Sequence, residues 1–457
     1  MIHSLSQKAR RARERSIVAF FATSLAQRGI GVFCQFAQVP IALHYLGSEG
    51  FGLWVTLMTL NFVVSSSDLG IGFGVQNRIA EALGAGDCDG ARKVFVTGLC
   101  FLLGMMVVLL AVLIPFCLLS DIPRMFRISD LGLSGSMPAS LLWVAIIWCL
   151  NVPLGLGQRL AYASQVGWMN NIASSANQLL TLALVSAAAW LKVGVITFFV
   201  ISFGSGALIS FFFLLYLLRH LGWSNLRLAE FRGSLLRDIS GLGILFFIQQ
   251  LAVIVMFSSP ALILSLAMGP AAVTSYSLVQ RVLNVFVMVA TAILLPLWPA
   301  YADAKARSDW LWIRHAMLRS LLLVCGLSIL PMLALGPFAQ TFISWWTAGA
   351  ASTTKSLIWL LIAWNALVLF QQPFGYLLAG LSEIKRATVY SLLSAGASLV
   401  MILFLIPDFG VNAVPIGLIV GFAPFVMAGT FFESTRLLFS PGRQRGALPQ
   451  REPVPSV

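Results

Sequence analysis

Three charged side chains stand in otherwise apolar surroundings: Arg28, Asp68 and Arg281. A guanidinium can hold a phosphate through two parallel hydrogen bonds. A carboxylate can pair with that guanidinium, or take up and release a proton. Gln35 follows Arg28 by seven residues, and Asp68 follows Asn61 by seven. Seven residues is close to two helical turns, so each pair shares one helix face. Gln249 and Gln250 add two adjacent amides. The expected substrate cavity is therefore lined by Arg28, Arg281, Gln35, Asn61, Gln249 and Gln250. Asp68 is the expected counter-ion or coupling group.

The elements that carry these residues follow from composition. The chain has 457 residues, 59% hydrophobic and 10% charged, whereas an average soluble domain is about 25% charged. A membrane-crossing helix needs roughly 20 apolar residues. Twelve such spans fit: 17–46, 50–79, 94–119, 137–158, 169–191, 194–218, 241–266, 274–299, 315–336, 356–380, 386–406 and 411–436. The expected fold class is an all-α polytopic membrane protein with 12 transmembrane helices in two six-helix lobes. A basic tail (1–16) precedes the N-lobe (17–218). A linker (219–240) leads to the C-lobe (241–436) and a tail (437–457). Charges inside spans are costly and are functional candidates by default.

The first two spans form a hairpin turning near Gly47 and Ser48. Arg28 lies 20 residues before Ser48 and Asp68 lies 20 after it. The two are expected at similar depth, where they could pair.

Basic residues are distributed unevenly. The loops on one side hold Arg124, Arg127, Lys192 and Lys355, while most of the chain's 29 Lys and Arg fall on the other. Arg159, just past the fourth span, is counted with that basic side. The positive-inside rule then places both termini in the cytoplasm, with the tail KARRARER as an orientation signal that could also touch anionic membrane lipid. This charge is spread along membrane edges and not gathered on one module, which argues against a nucleic-acid partner. No Cys/His cluster is present, so no metal site or cofactor is expected. His3, His44, His220 and His315 are scattered near membrane surfaces without a partner pattern, and an enzymatic role is not expected.

An internal repeat is also legible. Sliding the chain 222 residues along itself, without gaps, brings Gln27 onto Gln249, Gly47 onto Gly269, Asp87 onto Asp309, Arg92 onto Arg314 and Pro115 onto Pro337. Six spans per half is an even number, so the halves are parallel repeats, and transporters built this way bind substrate between them. Asp87 and Asp309 each read as a helix cap. Function is better sought where the halves differ: Arg28 faces Gln250 in the alignment, Asp68 faces Ala290, and Arg281 faces Thr59. Trp345 and Trp346 are expected to be interfacial anchors.

The runs YLGSEGFGLWVTLMTL, DLGIGFGVQNRIAEALGAGD and ARKVFVTG resemble the polysaccharide transporter family. These are the Wzx-type flippases of O-antigen and other lipid-linked oligosaccharides, in the multidrug/oligosaccharidyl-lipid/polysaccharide superfamily. MGPAAVTSYSLVQR, LLPLWPAYADAKARSDW and GYLLAGLSEIKRATVY in the second half are similar to it too. The resemblance implies a cavity lined by helices 1, 2, 7 and 8. It implies transfer of an undecaprenyl-pyrophosphate-linked glycan from the cytoplasmic to the periplasmic leaflet of a bacterial inner membrane. Coupling to H⁺ or Na⁺, and work beside a polysaccharide polymerase and chain-length machinery in surface or exopolysaccharide synthesis, would go with it. Two alternatives remain: a multidrug and toxin extrusion antiporter for cations, kept open by Asp68, and a lipid II-type flippase.

Overall fold

The computed structural model describes the backbone of residues 2–129, 131–223, 225–227, 230–381 and 383–439, and the side chains of these except 2–18, 131–134, 136, 240–246 and 384. The basic side chains of the tail at 8–15, and Arg443, Arg445 and Arg451, lie outside what is described.

The first part of the chain forms α1 (Ile2–Ser65), α2 (Ile71–Gly84), α3 (Cys88–Leu119), α4 (Ile122–Met125), α5 (Leu131–Leu154), α6 (Leu156–Ala163), α7 (Gly167–Trp190) and α8 (Val195–His220). Then follow α9 (Gly233–Val253), α10 (Ser259–Met268), α11 (Pro270–Leu294), α12 (Leu297–Ala306), α13 (Trp310–Val324) and α14 (Leu330–Trp346). The last are α15 (Lys355–Gly380), α16 (Ile384–Phe409), α17 (Ala413–Phe422) and α18 (Ala428–Phe439).

Among the described residues, 10 helical stretches are long and apolar enough to cross a membrane. Two of them, Ala19–Ser65 and Lys385–Phe439, each hold two crossings. The first breaks at Gly47 (φ 71°, ψ 177°) and the second at Gly410 (φ 55°, ψ −130°). The all-α, twelve-crossing, two-lobe architecture expected from composition is therefore present. The protein is a multi-pass integral membrane protein.

The repeat is visible in the backbone. Gly269, aligned with Gly47, adopts nearly the same conformation (φ 88°, ψ 167°) between α10 and α11. That region is essentially closed to residues with a side chain. The paired caps are present as well. Asp87 Oδ1 accepts from the Gly90 N–H at 2.8 Å, and Asp309 Oδ1 accepts from the Trp312 N–H at 3.0 Å.

By packing, the chain divides into two compact units, residues 1–277 with 344–351, and residues 278–343 with 352–457. In the first, Trp54 and Phe198 pack edge to face at 6.0 Å, and the Tyr45 ring lies 5.3 Å from Phe198. Trp148 meets Phe203 edge-on at 5.8 Å. The seventh crossing, second-half by sequence, packs here. A Cβ on Gly74 of α2 would fall 2.2 Å from the Ile239 carbonyl oxygen of α9, so these two backbones touch. Trp346 also belongs to this unit. Its ring lies 4.7 Å from that of Phe36, tilted by 35°, and its Nε1–H donates to the Phe36 carbonyl at 3.0 Å. Trp345 beside it is exposed.

In the second unit, Tyr301, Ile313, Met317, Phe374, Leu377 and Leu381 form a buried core. Close helix contact again needs glycine. A Cβ on Gly421 of α17 would lie 2.5 Å from the Ser398 backbone nitrogen of α16.

Candidate functional site

The second crossing is interrupted. α1 ends at Ser65 and α2 begins at Ile71, and between them Leu69 (φ 52°) and Gly70 (φ 74°) are left-handed. A helix start leaves backbone N–H groups without partners, which is expensive away from water. Asp68 meets this need. Its Oδ1 accepts from the Gly70 N–H at 3.1 Å and its Oδ2 from the Gly72 N–H at 3.2 Å. The carboxylate is 8% exposed.

The fourth crossing is interrupted too, at Gly155 between α5 and α6. Its continuation, α6, carries Arg159. A Cβ on Gly72 would sit 2.6 Å from Asp68 Oδ2 and 3.2 Å from Arg159 Nε. Two opposite charges therefore flank Gly72, near enough to interact electrostatically but with no hydrogen bond or ion pair between them. The guanidinium carbon lies 3.6 Å from the centroid of the Phe73 ring, a cation–π contact.

Two expectations change. Asp68 is held by the Gly70 and Gly72 N–H groups, with the Arg159 guanidinium across Gly72 as its electrostatic counterpart, and it shares no hydrogen bond or ion pair with Arg28. Counting residues from the turn fixes depth along a helix but not the direction in which a side chain points. Arg159, counted with the basic loops, belongs to the fourth crossing, because that crossing runs past its break to Ala163.

Beside this pair opens a cavity of about 580 Å³, walled by α1, α2, α3 and α5 to α8. Asn61 and Asp68 both line it, although Asp68 stands in the break between α1 and α2 and not on the helix that carries Asn61. Asn151, Gln158, Asn177, Thr181 and Ser205 complete its polar lining. Thr181 Oγ1 and Ser205 Oγ are hydrogen-bonded at 2.8 Å. Sequence reasoning passed over these residues. The available signal was spacing: Asn151 and Gln158 are seven apart, and Asn177 and Thr181 are four apart.

The other expected residues are placed as follows. Arg28 and Gln35 are half-buried on the first segment of α1 and do not line this cavity. That segment packs on α7, where Asn171 Nδ2 donates to Ser24 Oγ at 2.8 Å. On α9, Gln249 is exposed and Gln250 half-buried. In the second unit, Arg281 is half-buried on α11. Its neighbour Gln280 exchanges two amide hydrogen bonds of 3.2 Å with Asn365 on α15.

Residues 30–130, which include Gln35, Asn61 and Asp68, match the MatE family model. The chain is similar to a solved inward-facing multidrug resistance MATE family transporter of the MOP superfamily, with a TM-score of 0.70, 16% identity, and 92% of this chain and 96% of that one covered. It is similar to an outward-facing structure of the same description with a TM-score of 0.63, at 16% identity over 95% of this chain and 97% of that one. A MOP superfamily transporter from Pyrococcus furiosus, described by a binding pocket of reverse polarity that suggests a different function, is similar with a TM-score of 0.62. It is 17% identical, over 93% of this chain and 96% of that one. The protein shares the fold of these solved structures. A Salmonella typhi protein named for O-antigen transport is 23% identical over 286 residues, 60% of this chain. That match spans 62% of the Salmonella protein, less than two thirds of its length.

Within this fold, the cavity offers amides and hydroxyls that can donate and accept, and one carboxylate and one guanidinium.

Proposed function

We propose that the protein is a transporter that moves an amphipathic, sugar-bearing anionic lipid across the membrane by alternating access. The substrate class is an undecaprenyl-pyrophosphate-linked oligosaccharide, carried from the cytoplasmic to the periplasmic leaflet of a bacterial inner membrane with both termini cytoplasmic. The observation that carries this reading is the cavity lining. Four side-chain amides, from Asn61, Asn151, Gln158 and Asn177, line it together with Asp68 and Arg159. Paired amide donors and acceptors match sugar hydroxyls. Arg28 and Arg281 supply cationic groups suited to the pyrophosphate, which guanidinium binds in a bidentate way. The likeness to a Salmonella protein named for O-antigen transport supports the same substrate.

A second reading is extrusion of organic cations by an antiporter. The fold relatives described as multidrug resistance transporters favour it, and so does the presence of a carboxylate, Asp68, in the cavity.

One experiment separates them. Proteoliposomes holding the purified protein are loaded with a labelled polyprenyl-pyrophosphate oligosaccharide on one leaflet, and movement to the other is followed by enzymatic accessibility. Parallel vesicles are tested for uptake of ethidium. Glycan-lipid movement without ethidium uptake is expected, and ethidium uptake without glycan-lipid movement would establish the second reading in its place.

A further inference from the structure

The two halves differ at one aligned pair that neither transport reading uses: Thr97 on α3 and Arg319 on α13, each nine residues from its helix start. Thr97 is fully buried, and its Oγ1 accepts from the Arg232 backbone N–H at 3.1 Å. The segment after α8 thus covers this face of α3. It is held further by Arg92 paired with Glu230 at 2.8 Å and by Trp223 packed 6.0 Å from Phe95.

In the second half no described residue covers the corresponding face of α13 in this way. A groove of about 230 Å³ runs between it and the end of α11 with α12, lined by Ile293, Leu297, Trp312, His315, Arg319 and Leu323. Arg319 is exposed, with no hydrogen bond or ion pair to any described residue. Trp312, His315, Arg319 and Leu323 follow at three- and four-residue steps and so share one face. Beside that face run the exposed Leu311, Leu318 and Leu322, a stripe suited to lipid chains.

We propose that this groove binds the phosphate of an anionic phospholipid. Helical side chains lean toward the helix N-terminus, so Arg319 reaches back over His315 toward the membrane surface at which α13 begins. It lies about 13 Å along the axis from Trp310, and its long side chain spans much of that distance. The Arg319 guanidinium takes two phosphate oxygens, His315 (its Nδ1–H given to the Leu311 carbonyl at 3.0 Å) lends its ring as packing surface from the turn before, and Trp312 packs at headgroup level where amphipathic rings settle. Ile293, Leu297 and Leu323 receive the upper part of an acyl chain. The groove is cationic and apolar together, which fits a lipid phosphate better than the basic C-terminal tail or a free ion.

The test is retention of lipid by the full-length protein after extraction from membranes containing phosphatidylglycerol and phosphatidylcholine, read by native mass spectrometry. Wild type is expected to keep phosphatidylglycerol in preference to phosphatidylcholine. Arg319→Ala is expected to lose about fivefold of it, the effect of one interfacial charge. Arg319→Lys, which keeps the charge without the fork, should fall between. Arg307→Ala removes the same charge from an exposed pair with Asp303 outside the groove, and should retain lipid as wild type does. Equal retention in wild type and Arg319→Ala, equal loss in Arg307→Ala, or displacement of the lipid by inorganic phosphate alone would overturn the proposal. Transport does not enter the readout, so the outcome is independent of the substrate carried.

Discussion

Asp68 and Arg159, from two interrupted crossings, meet over Gly72: the carboxylate oxygen lies 2.6 Å and the guanidinium nitrogen 3.2 Å from where a Cβ there would stand. The carboxylate has two tasks at once. It caps the start of α2, and it balances the charge on α6.

Removing either member alone strands the other in a poorly hydrated place, whereas removing both leaves a polar but neutral site. Asp68→Asn and Arg159→Gln should therefore each destabilise the protein, and the double variant should cost less than their sum. A coupling of about 0.5 kcal/mol or more is expected for opposite charges that interact across Gly72 without a hydrogen bond. Thermal unfolding of the four proteins in detergent measures it. Strict additivity would mean that the two charges do not interact.

Two neighbouring glycines should respond differently to alanine. In Gly72→Ala the new methyl meets side-chain atoms of Asp68 and Arg159, which can rotate away. The protein should reach the membrane with the pair disrupted and transport impaired. In Gly74→Ala the methyl meets the Ile239 carbonyl at 2.2 Å, and backbone cannot give way locally. Gly74→Ala should fail to accumulate as folded protein. Membrane abundance and glycan export are the two readouts, and equal abundance of both variants would contradict the close contact of α2 and α9.

Arg28 makes no hydrogen bond or ion pair to any described residue. Arg28→Ala should then alter stability by no more than about 0.5 kcal/mol, as for other substitutions that break no named contact. It should nonetheless abolish glycan export if this guanidinium serves the substrate's pyrophosphate. Export at the wild-type level in cells, with normal protein in the membrane, would remove Arg28 from the transport path.

The caps at Asp87 and Asp309 are geometrically alike, so Asp87→Ala and Asp309→Ala should destabilise by similar amounts, about 1 kcal/mol each. Melting temperatures of the two variants test this. A large disparity would show that the two elbows carry different loads despite their matched geometry.

Features set by short-range chemistry were legible in the sequence. Asp87 and Asp309 cap because the residues three positions on supply free N–H groups. Gly47 and Gly269 turn because few other residues can. Asn61 and Asp68 do line one cavity, but through a break in the helix that seven-residue spacing does not foresee. The partner of Asp68 was not legible. Axial counting put Arg28 at its level, but nothing in a single helix's spacing says which neighbour lies across from it. Arg159 was hidden for a second reason. An apolar count ends the fourth span at residue 158, whereas the helix resumes after Gly155 and carries the arginine inward. Polar groups at the frayed end of a hydropathy window are the ones such counting misassigns.

Gly47 and Gly269 carry a further consequence. Each occupies a backbone state that any side chain would forbid, so neither copy could drift to another residue without reopening its hairpin. Surrounding apolar positions can exchange freely and soon lose their common ancestry. These two glycines therefore serve as fixed register marks for the duplication, from which the correspondence of every other position in the two halves can be read.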